Sequence, residues 1–284
     1  MQLKDETWDL IIQPRNRFFN LGLKDLIRYK DLLFLFVKRD IVSVYKQTIL
    51  GPIWFFLQPV ISALIYTVIF GFIAKMNTDG VPPILFYLGG LTLWNYFAEC
   101  LTKTSETFIQ NQSIFGKVYF PRLIVPLSFI LSAMLKLLIQ FAVFMVFWMY
   151  YYFGKPETIH PHTTILLLPV LILIIAGLSF GFGIIFSSLT TKYRDIRFLL
   201  QFGVQLLMYA SSVVIPLSQV PENYKWIMKL NPVVSVIETF KHGFLGTGIF
   251  DWTNLAYSFI FMIILILVGL VMFNRVEKTF MDTV

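Results

Sequence analysis

Charge is scarce in this chain. Only 14% of its 284 residues are Asp, Glu, Lys or Arg, against about a quarter in soluble domains, which excludes an ordinary water-facing globule. Cysteine is almost missing: Cys100 stands alone, so no internal disulfide can form and a packing residue is the plain reading. Histidine is rare too, and the pair His160 and His162 around Pro161 reads as a solvated turn, with a metal pair as the alternative. No Gly-rich loop ends in Gly-Lys-Ser/Thr, so the chain has no phosphate cradle of its own for a nucleotide. Asp-x-Asp and His-Glu-x-x-His are missing as well, and the acids lie scattered, which counts against an integral enzyme such as a glycosyltransferase. Repeats, low-complexity tracts and inverted symmetry do not stand out, and the N-terminal Met-Gln-Leu-Lys-Asp-Glu is not the start of a cleavable signal peptide.

What is present is apolar. Hydrophobic residues make up 57% of the chain, the composition of a polytopic membrane protein, read here as one domain over 1–284. From Leu26 to Val44 the side chains Leu26, Tyr29, Leu33, Val37, Ile41 and Val44 recur at steps of three and four, while Lys24, Arg28, Asp31, Lys38, Arg39 and Lys46 fall opposite. That pattern predicts a basic amphipathic helix in the membrane interface, cations among anionic headgroups; a soluble helix packed on a cytosolic domain is the alternative. After Gly51-Pro52 comes the uncharged run Ile53 to Ala74, long enough to cross a hydrocarbon core of roughly 30 Å and so expected to be the first span and the insertion signal.

Further apolar segments run from Pro82 to Ala98, Leu123 to Phe153, Thr164 to Thr191, Phe198 to Pro221 and Leu255 to Phe273, which predicts six transmembrane helices in an all-α polytopic fold. With the N-terminus inside, cytoplasmic pieces hold seventeen Lys and Arg and external pieces hold five, Lys75, Lys155, Lys225, Lys229 and Lys241; Lys136 lies inside the third span. Both termini are therefore expected in the cytoplasm, and the formal charge of +7 reports headgroup contact rather than nucleic acid. In the external stretch 219–252, short apolar groups broken by Asn231-Pro232, Gly243, Gly246 and Gly248 predict two short re-entrant or interfacial helices, with a folded external loop as the alternative. Gly177, Gly181 and Gly183 in the fourth span are explained by close helix packing.

Inside the membrane Lys136 is the one clear ionisable group, with Glu99 near the inner end of the second span. It either faces a polar cavity or pairs structurally, and a single Lys is poor support for a secondary transporter. Aromatic residues make up 17% of the chain. Most fit a lipid-facing belt, but Trp54, Tyr66 and Tyr209 are candidates to line a conduit, since flat aromatic faces accommodate sugar C–H faces without fixing them.

Tyr45-Lys46-Gln47-Thr48-Ile49-Leu50-Gly51-Pro52-Ile53-Trp54, Lys117-Val118-Tyr119-Phe120-Pro121-Arg122 with Pro126-Leu127-Ser128, and Tyr193-Arg194-Asp195-Ile196-Arg197 occur in order along the chain. So do Pro216-Leu217, Val220-Pro221-Glu222, and Asn231-Pro232 followed by a basic residue and Gly246. Together they resemble the permease subunit of type-2 ABC exporters for polysaccharides, closer to the O-antigen (Wzm-like) branch than to the teichoic-acid branch. Two departures are Ser211 to Pro216, where the family often has a proline and a tyrosine, and Lys241, where arginine is commoner.

The resemblance implies a transport subunit rather than an enzyme, in the bacterial inner membrane, with no cofactor in this chain. It implies two copies of the chain over two copies of a separate ABC ATPase that binds ATP and Mg, moving a polyprenyl-diphosphate-linked glycan to the periplasm; a related exporter of teichoic acid or of small lipophilic drugs is the runner-up. Lys38, Arg39 and Lys46 are then candidate contacts for the diphosphate or for lipid headgroups. The internal loop 103–122 is expected to hold one short coupling helix, with Glu106, Ile109, Ile114, Phe115, Lys117 and Arg122 meeting a groove on the ATPase. The alternative is that its apolar side chains pack back on the second and third spans.

Overall fold

Helix α4 (Pro83–Ser105) is the axis on which most other helices pack. A computed structural model of the chain describes residues 23–46 and 53–279, and among these there is no β-strand. In chain order the elements are α1 (Leu23–Arg28), α2 (Lys30–Lys46), α3 (Ile53–Tyr66, prolonged by π-helical turns over Thr67–Ile73), α4, α5 (Thr107–Gln110), α6 (Gln112–Phe115) and α7 (Ile124–Gly154). They continue with α8 (Leu168–Lys192), α9 (Ile196–Tyr209), α10 (Glu222–Leu230), α11 (Pro232–Leu245) and α12 (Trp252–Thr279). The Gln47 to Pro52 part of the first family motif, with its helix breaker, lies outside the described residues.

Among the described residues four stretches are long and apolar enough to cross a membrane: Ile53–Ile73, Ile124–Gly154, Thr163–Lys192 and Trp252–Glu277. They coincide with the expected first, third, fourth and sixth spans. The expected second span is α4, whose 23 residues reach about 34 Å at 1.5 Å per residue. Its lower hydropathy has a physical cause: it is enclosed by protein on most sides and carries Thr92, Asn95, Glu99 and Lys103 inward. The expected fifth span, Phe198 to Pro221, is not one helix. α9 is 14 residues long, about 21 Å, and ends at Tyr209, where Ser211, Ser212, Val213 and Val214 continue as buried irregular chain. Ser212 takes a left-handed backbone there, with φ of 58°, which ends the helix.

Packing of α8 depends on the glycines noted in the sequence. A Cβ at Gly181 would lie 2.9 Å from Leu265 Cβ of α12, and one at Gly183 would lie 2.5 Å from Thr104 Cβ of α4. Their missing side chains let α8 press on both neighbours at once. Outside this core, α10 has no buried residue while α11 is buried along nearly its whole length. Asn231 caps α11, its side-chain oxygen accepting from the Val233 amide at 3.1 Å, and Gly246 ends it at φ of 76°, so two of the breaks read from the sequence are helix boundaries, whereas Gly243 lies buried inside α11.

Candidate functional site

The segment after α4 folds into two single turns, α5 and α6, rather than the one short helix expected, and α4 itself runs on to Ser105. Asn111, between the turns, is buried and donates from Nδ2 to the Thr107 carbonyl at 3.0 Å, which breaks the helical path. Phe108 stacks on Phe273 of α12 at 4.6 Å between centroids, and Phe115 packs on Phe108 and Phe120. Both phenylalanines are buried within this chain. Glu106 is buried as well, paired with Arg197 at the base of α9 and with Gln110. Arg122 lies 5.5 Å from the Phe115 ring centroid and donates to the Glu277 carbonyl at 2.6 Å. Burial holds its guanidinium below the ordinary value, with Glu277 acting in the opposite direction. Ile109, Lys117, Val118 and Tyr119 are exposed and Ile114 is half-buried.

The proposed coupling residues thus divide. Phe115, Glu106 and Arg122 tie the segment to the bundle, with Ile114 packed partly against it, and Ile109 and Lys117 face outward beside Val118 and Tyr119. The sequence motif that contains Arg197 does not show its partner Glu106, 91 residues away, and nothing local marks Phe273 as the partner of Phe108, 165 residues away.

Helix α2 packs along α7, with Leu33, Val37 and Ile41 half-buried and Phe36 buried. Its other side leaves Phe34 and Leu35 exposed. The Ser128 hydroxyl of α7 donates to Asp40 at 3.2 Å and clips the two helices together. Of the three candidate cations, Lys38 and Lys46 are exposed, whereas Arg39 bonds Asp40 at 2.8 Å and lies 4.4 Å from the Phe36 ring centroid. Beside them Glu99 of α4 receives two ammonium groups on one oxygen, Lys136 at 2.5 Å and Lys103 at 2.8 Å.

Of the conduit candidates, Tyr66 and Tyr209 come together and Trp54 does not. The Tyr66 hydroxyl reaches Met208 Sδ at 3.7 Å, next to Tyr209, and its ring lies 6.2 Å from Tyr87, with Phe70 in the same cluster. Trp54 is exposed twelve positions earlier on α3, about 18 Å along the axis. Tyr87 was not marked in the sequence; a tyrosine in an apolar run carries no local signal of what faces it.

Near the outer end, Lys241 is fully buried although it counts among the external cations. Its ammonium donates to the Ser212 carbonyl at 2.5 Å and lies 3.4 Å from the centroid of Phe86. Glu238, one turn earlier, accepts from the Ser212 hydroxyl and from the Ile249 amide, the latter at 2.9 Å. His160 and His162 are both exposed in the connection before α8, and the His162 ring stacks on His242 at 4.5 Å. Among the described residues no cluster of His, Cys, Asp and Glu could hold a metal ion.

The chain matches the family described as ABC-2 type transporter over residues 31–245. It is 28% identical over 252 residues to an O-antigen export system permease protein, RfbA, of Klebsiella pneumoniae, covering 89% of this chain and 94% of that one. It is 25% identical over 254 residues to the polysialic acid transport protein KpsM of Escherichia coli, covering 89% and 95%. With a capsule polysaccharide export inner-membrane protein, CtrC, of Neisseria meningitidis it shares 19% over 264 residues, covering 90% and 95%. A multi-pass membrane chain with apolar helices of spanning length, matched over about three quarters of its residues, belongs to the ABC-2 type transporter family.

Proposed function

We propose that this chain is the membrane subunit of an ATP-driven exporter that moves a polyprenyl-diphosphate-linked, O-antigen-like polysaccharide from cytoplasm to periplasm across the bacterial inner membrane. The observation that carries the reading is the near full-length likeness to relatives named for O-antigen, polysialic acid and capsule transport. Two copies of the chain stand over two copies of a separate ABC ATPase, which binds ATP and Mg. The chain crosses six times with both termini cytoplasmic: α3, α4, α7, α8, α9 and α12. The fifth crossing is finished by the irregular stretch after Tyr209, which is buried in protein, the condition under which non-helical backbone is tolerated at membrane depth. α10 and α11 then sit in or on the outer leaflet, with Tyr224, Trp226, Ile227 and Leu230 of α10 exposed toward lipid.

Two features of the packing support a conduit between copies. α3 and α9 leave broad apolar faces uncovered, including Phe56, Ile61 and Leu64 on one and Phe198, Phe202 and Leu206 on the other. Tyr66 and Tyr209 lie beside that face and offer rings without fixed charge, with Tyr87 buried behind Tyr66. The test is removal of the chain from its cell. Surface glycan should disappear while lipid-linked glycan accumulates inside, and the chain supplied in trans should restore export. Unchanged surface glycan, with loss of teichoic acid or of drug resistance instead, would overturn the reading.

A further inference from the structure

The chain has three histidines, His160, His162 and His242, and the fold brings all three to one junction, where the connection 155–167 crosses the C-terminal end of α11. The last carbonyls of a helix have no partner within it. In α11 three of them are met from outside: the His162 amide donates to the Gly243 carbonyl at 2.9 Å, the His160 amide to that of Leu245 at 3.4 Å, and the Trp148 indole of α7 to that of Phe244 at 2.6 Å. The fit is close. A Cβ at Gly243 would lie 3.0 Å from the Ile165 nitrogen, and one at Gly246 would overlap the His160 carbonyl, so backbone presses on backbone.

Across this junction the rings of His162 and His242 stack at 4.5 Å between centroids, 14° from parallel, and the Thr164 hydroxyl lies 3.1 Å from Nδ1 of His242. Of the charged groups on the surrounding elements, only His162 acts on the His242 ring. Lys155, Glu157 and His160 of the connection are exposed; Glu238 and Lys241 of α11 are held by Ser212 and Ile249 and by Ser212 and Phe86. Phe250 faces His242 from beyond α11, and the next residue, Asp251, is bonded to Thr253 and Asn254 and lines a recess with Lys229 of α10. Between them α4 and α8 carry only Glu99, Lys103 and Lys192, toward their C-terminal ends. Two neutral imidazoles stack freely and one proton is tolerated at a helix C-terminus, but a second sets two like charges at stacking distance. Burial, and after it His162, hold the His242 imidazole below its ordinary value. A base lowered in this way is neutral while the junction is closed, so closure is fully present above the ordinary imidazole value and is lost as the pH falls through the lowered one. We propose that the His162 and His242 pair is a proton-operated latch, which holds the connection 155–167 on the end of α11 at neutral pH and releases it on acidification. In the topology proposed above the junction faces the periplasm, so external acid is the signal. The latch goes beyond the export reading and stands without it.

The test places the full-length chain, with its ATPase, in lipid nanodiscs, where both faces meet the same buffer and sidedness does not enter. Amide hydrogen exchange is followed by mass spectrometry at about pH 7.5 and about pH 5, the range in which an imidazole titrates, and corrected for the pH dependence of free amides. The peptide carrying the His160 and His162 amides is expected to exchange several-fold faster at the lower pH, while peptides from α4 stay unchanged. The His162→Phe, His242→Phe double variant keeps two stacked rings and removes both titrations, so its exchange should be slow and equal at the two pH values. His242→Gln keeps a polar group beside Thr164 and should also lose the response, which keeps the test open if the double variant fails to fold. His160→Gln should respond as the parent does. A parent whose exchange does not change with pH, or a response of parental size in either folded His242 variant, overturns the latch, as does loss of the response in His160→Gln alone.

Discussion

Tyr66 and Lys241 show how differently two polar side chains can be used inside one bundle. Tyr66 is half-buried, with its ring among Phe70 and Tyr87 and its hydroxyl on a methionine sulfur. Its polar end is weakly engaged, as suits a surface over which something slides. A correctly inserted Tyr66→Ala, Tyr209→Ala double variant is expected to lower surface glycan several-fold while protein level in the membrane stays the same, measured by glycan immunoblot against the membrane-protein band. Equal glycan in variant and wild type would remove both residues from the conduit. Lys241, in contrast, is fully buried between the Ser212 carbonyl and the Phe86 ring. Replacing it by alanine strands a buried acceptor and an unbalanced Glu238, a loss on the order of 1–3 kcal/mol or more for charged partners. Lys241→Ala should therefore melt at lower temperature in detergent than the parent, and Lys241→Arg should recover most of the difference if the cavity admits the larger group.

Elements, not single residues, decide what the inner loop offers to a partner. Phe108 and Phe115 carry the most apolar surface in that segment, yet they face inward onto Phe273 and Phe120; Phe108 holds the loop against α12, and Phe120 in turn meets Phe36 of α2 at 5.6 Å. Phe115→Asp would bury a carboxylate beside the Phe108 and Phe120 rings, and its expected effect is loss of folded protein rather than clean uncoupling. The exposed neighbours give the sharper experiment. Val118→Asp or Tyr119→Ala should leave expression and melting unchanged but lower export relative to ATP hydrolysis, and a cysteine at Ile109 or Val118 should cross-link to the ATPase in intact membranes. Cross-linking nowhere on this surface, with normal export by both variants, would reduce the loop to a connector. The Glu106 and Arg197 pair joins the same loop to α9, the helix that carries Tyr209.

At the scale of the whole molecule, the outer surfaces are as informative as the core. α8 is pressed from both sides by α4 and α12 through its glycines, and α4 is enclosed, whereas α3 and α9 remain open along their length. A bundle with a tight centre and two bare flanking helices suits assembly with a second copy. Nothing in its sequence provides a phosphate cradle, so the purified chain should show no ATP hydrolysis, measured by phosphate release, until the ATPase is added. Turnover by the isolated chain, free of contaminating ATPase, would contradict this.

The amino-acid sequence by itself determined where the long apolar helices run, because uncharged stretches of twenty or more residues have few alternatives in a bilayer. It also determined the ends of α11, since Asn231-Pro232 and Gly246 act through local backbone geometry. The close approach of α8 to its neighbours was legible for the same reason: glycines at helical spacing leave room for little else. Tertiary structure alone decided that α9 stops at Tyr209, that Lys241 is buried rather than solvated, and that Phe115 faces inward. It alone brought Lys103 and Lys136 onto one oxygen of Glu99. Each of these depends on partners from other elements, and hydrophobic pattern specifies which face of a helix is covered but not by what. In a chain where 57% of residues are hydrophobic, the covered and lipid-facing sides have almost the same composition, so the choice between them is made only when the helices meet.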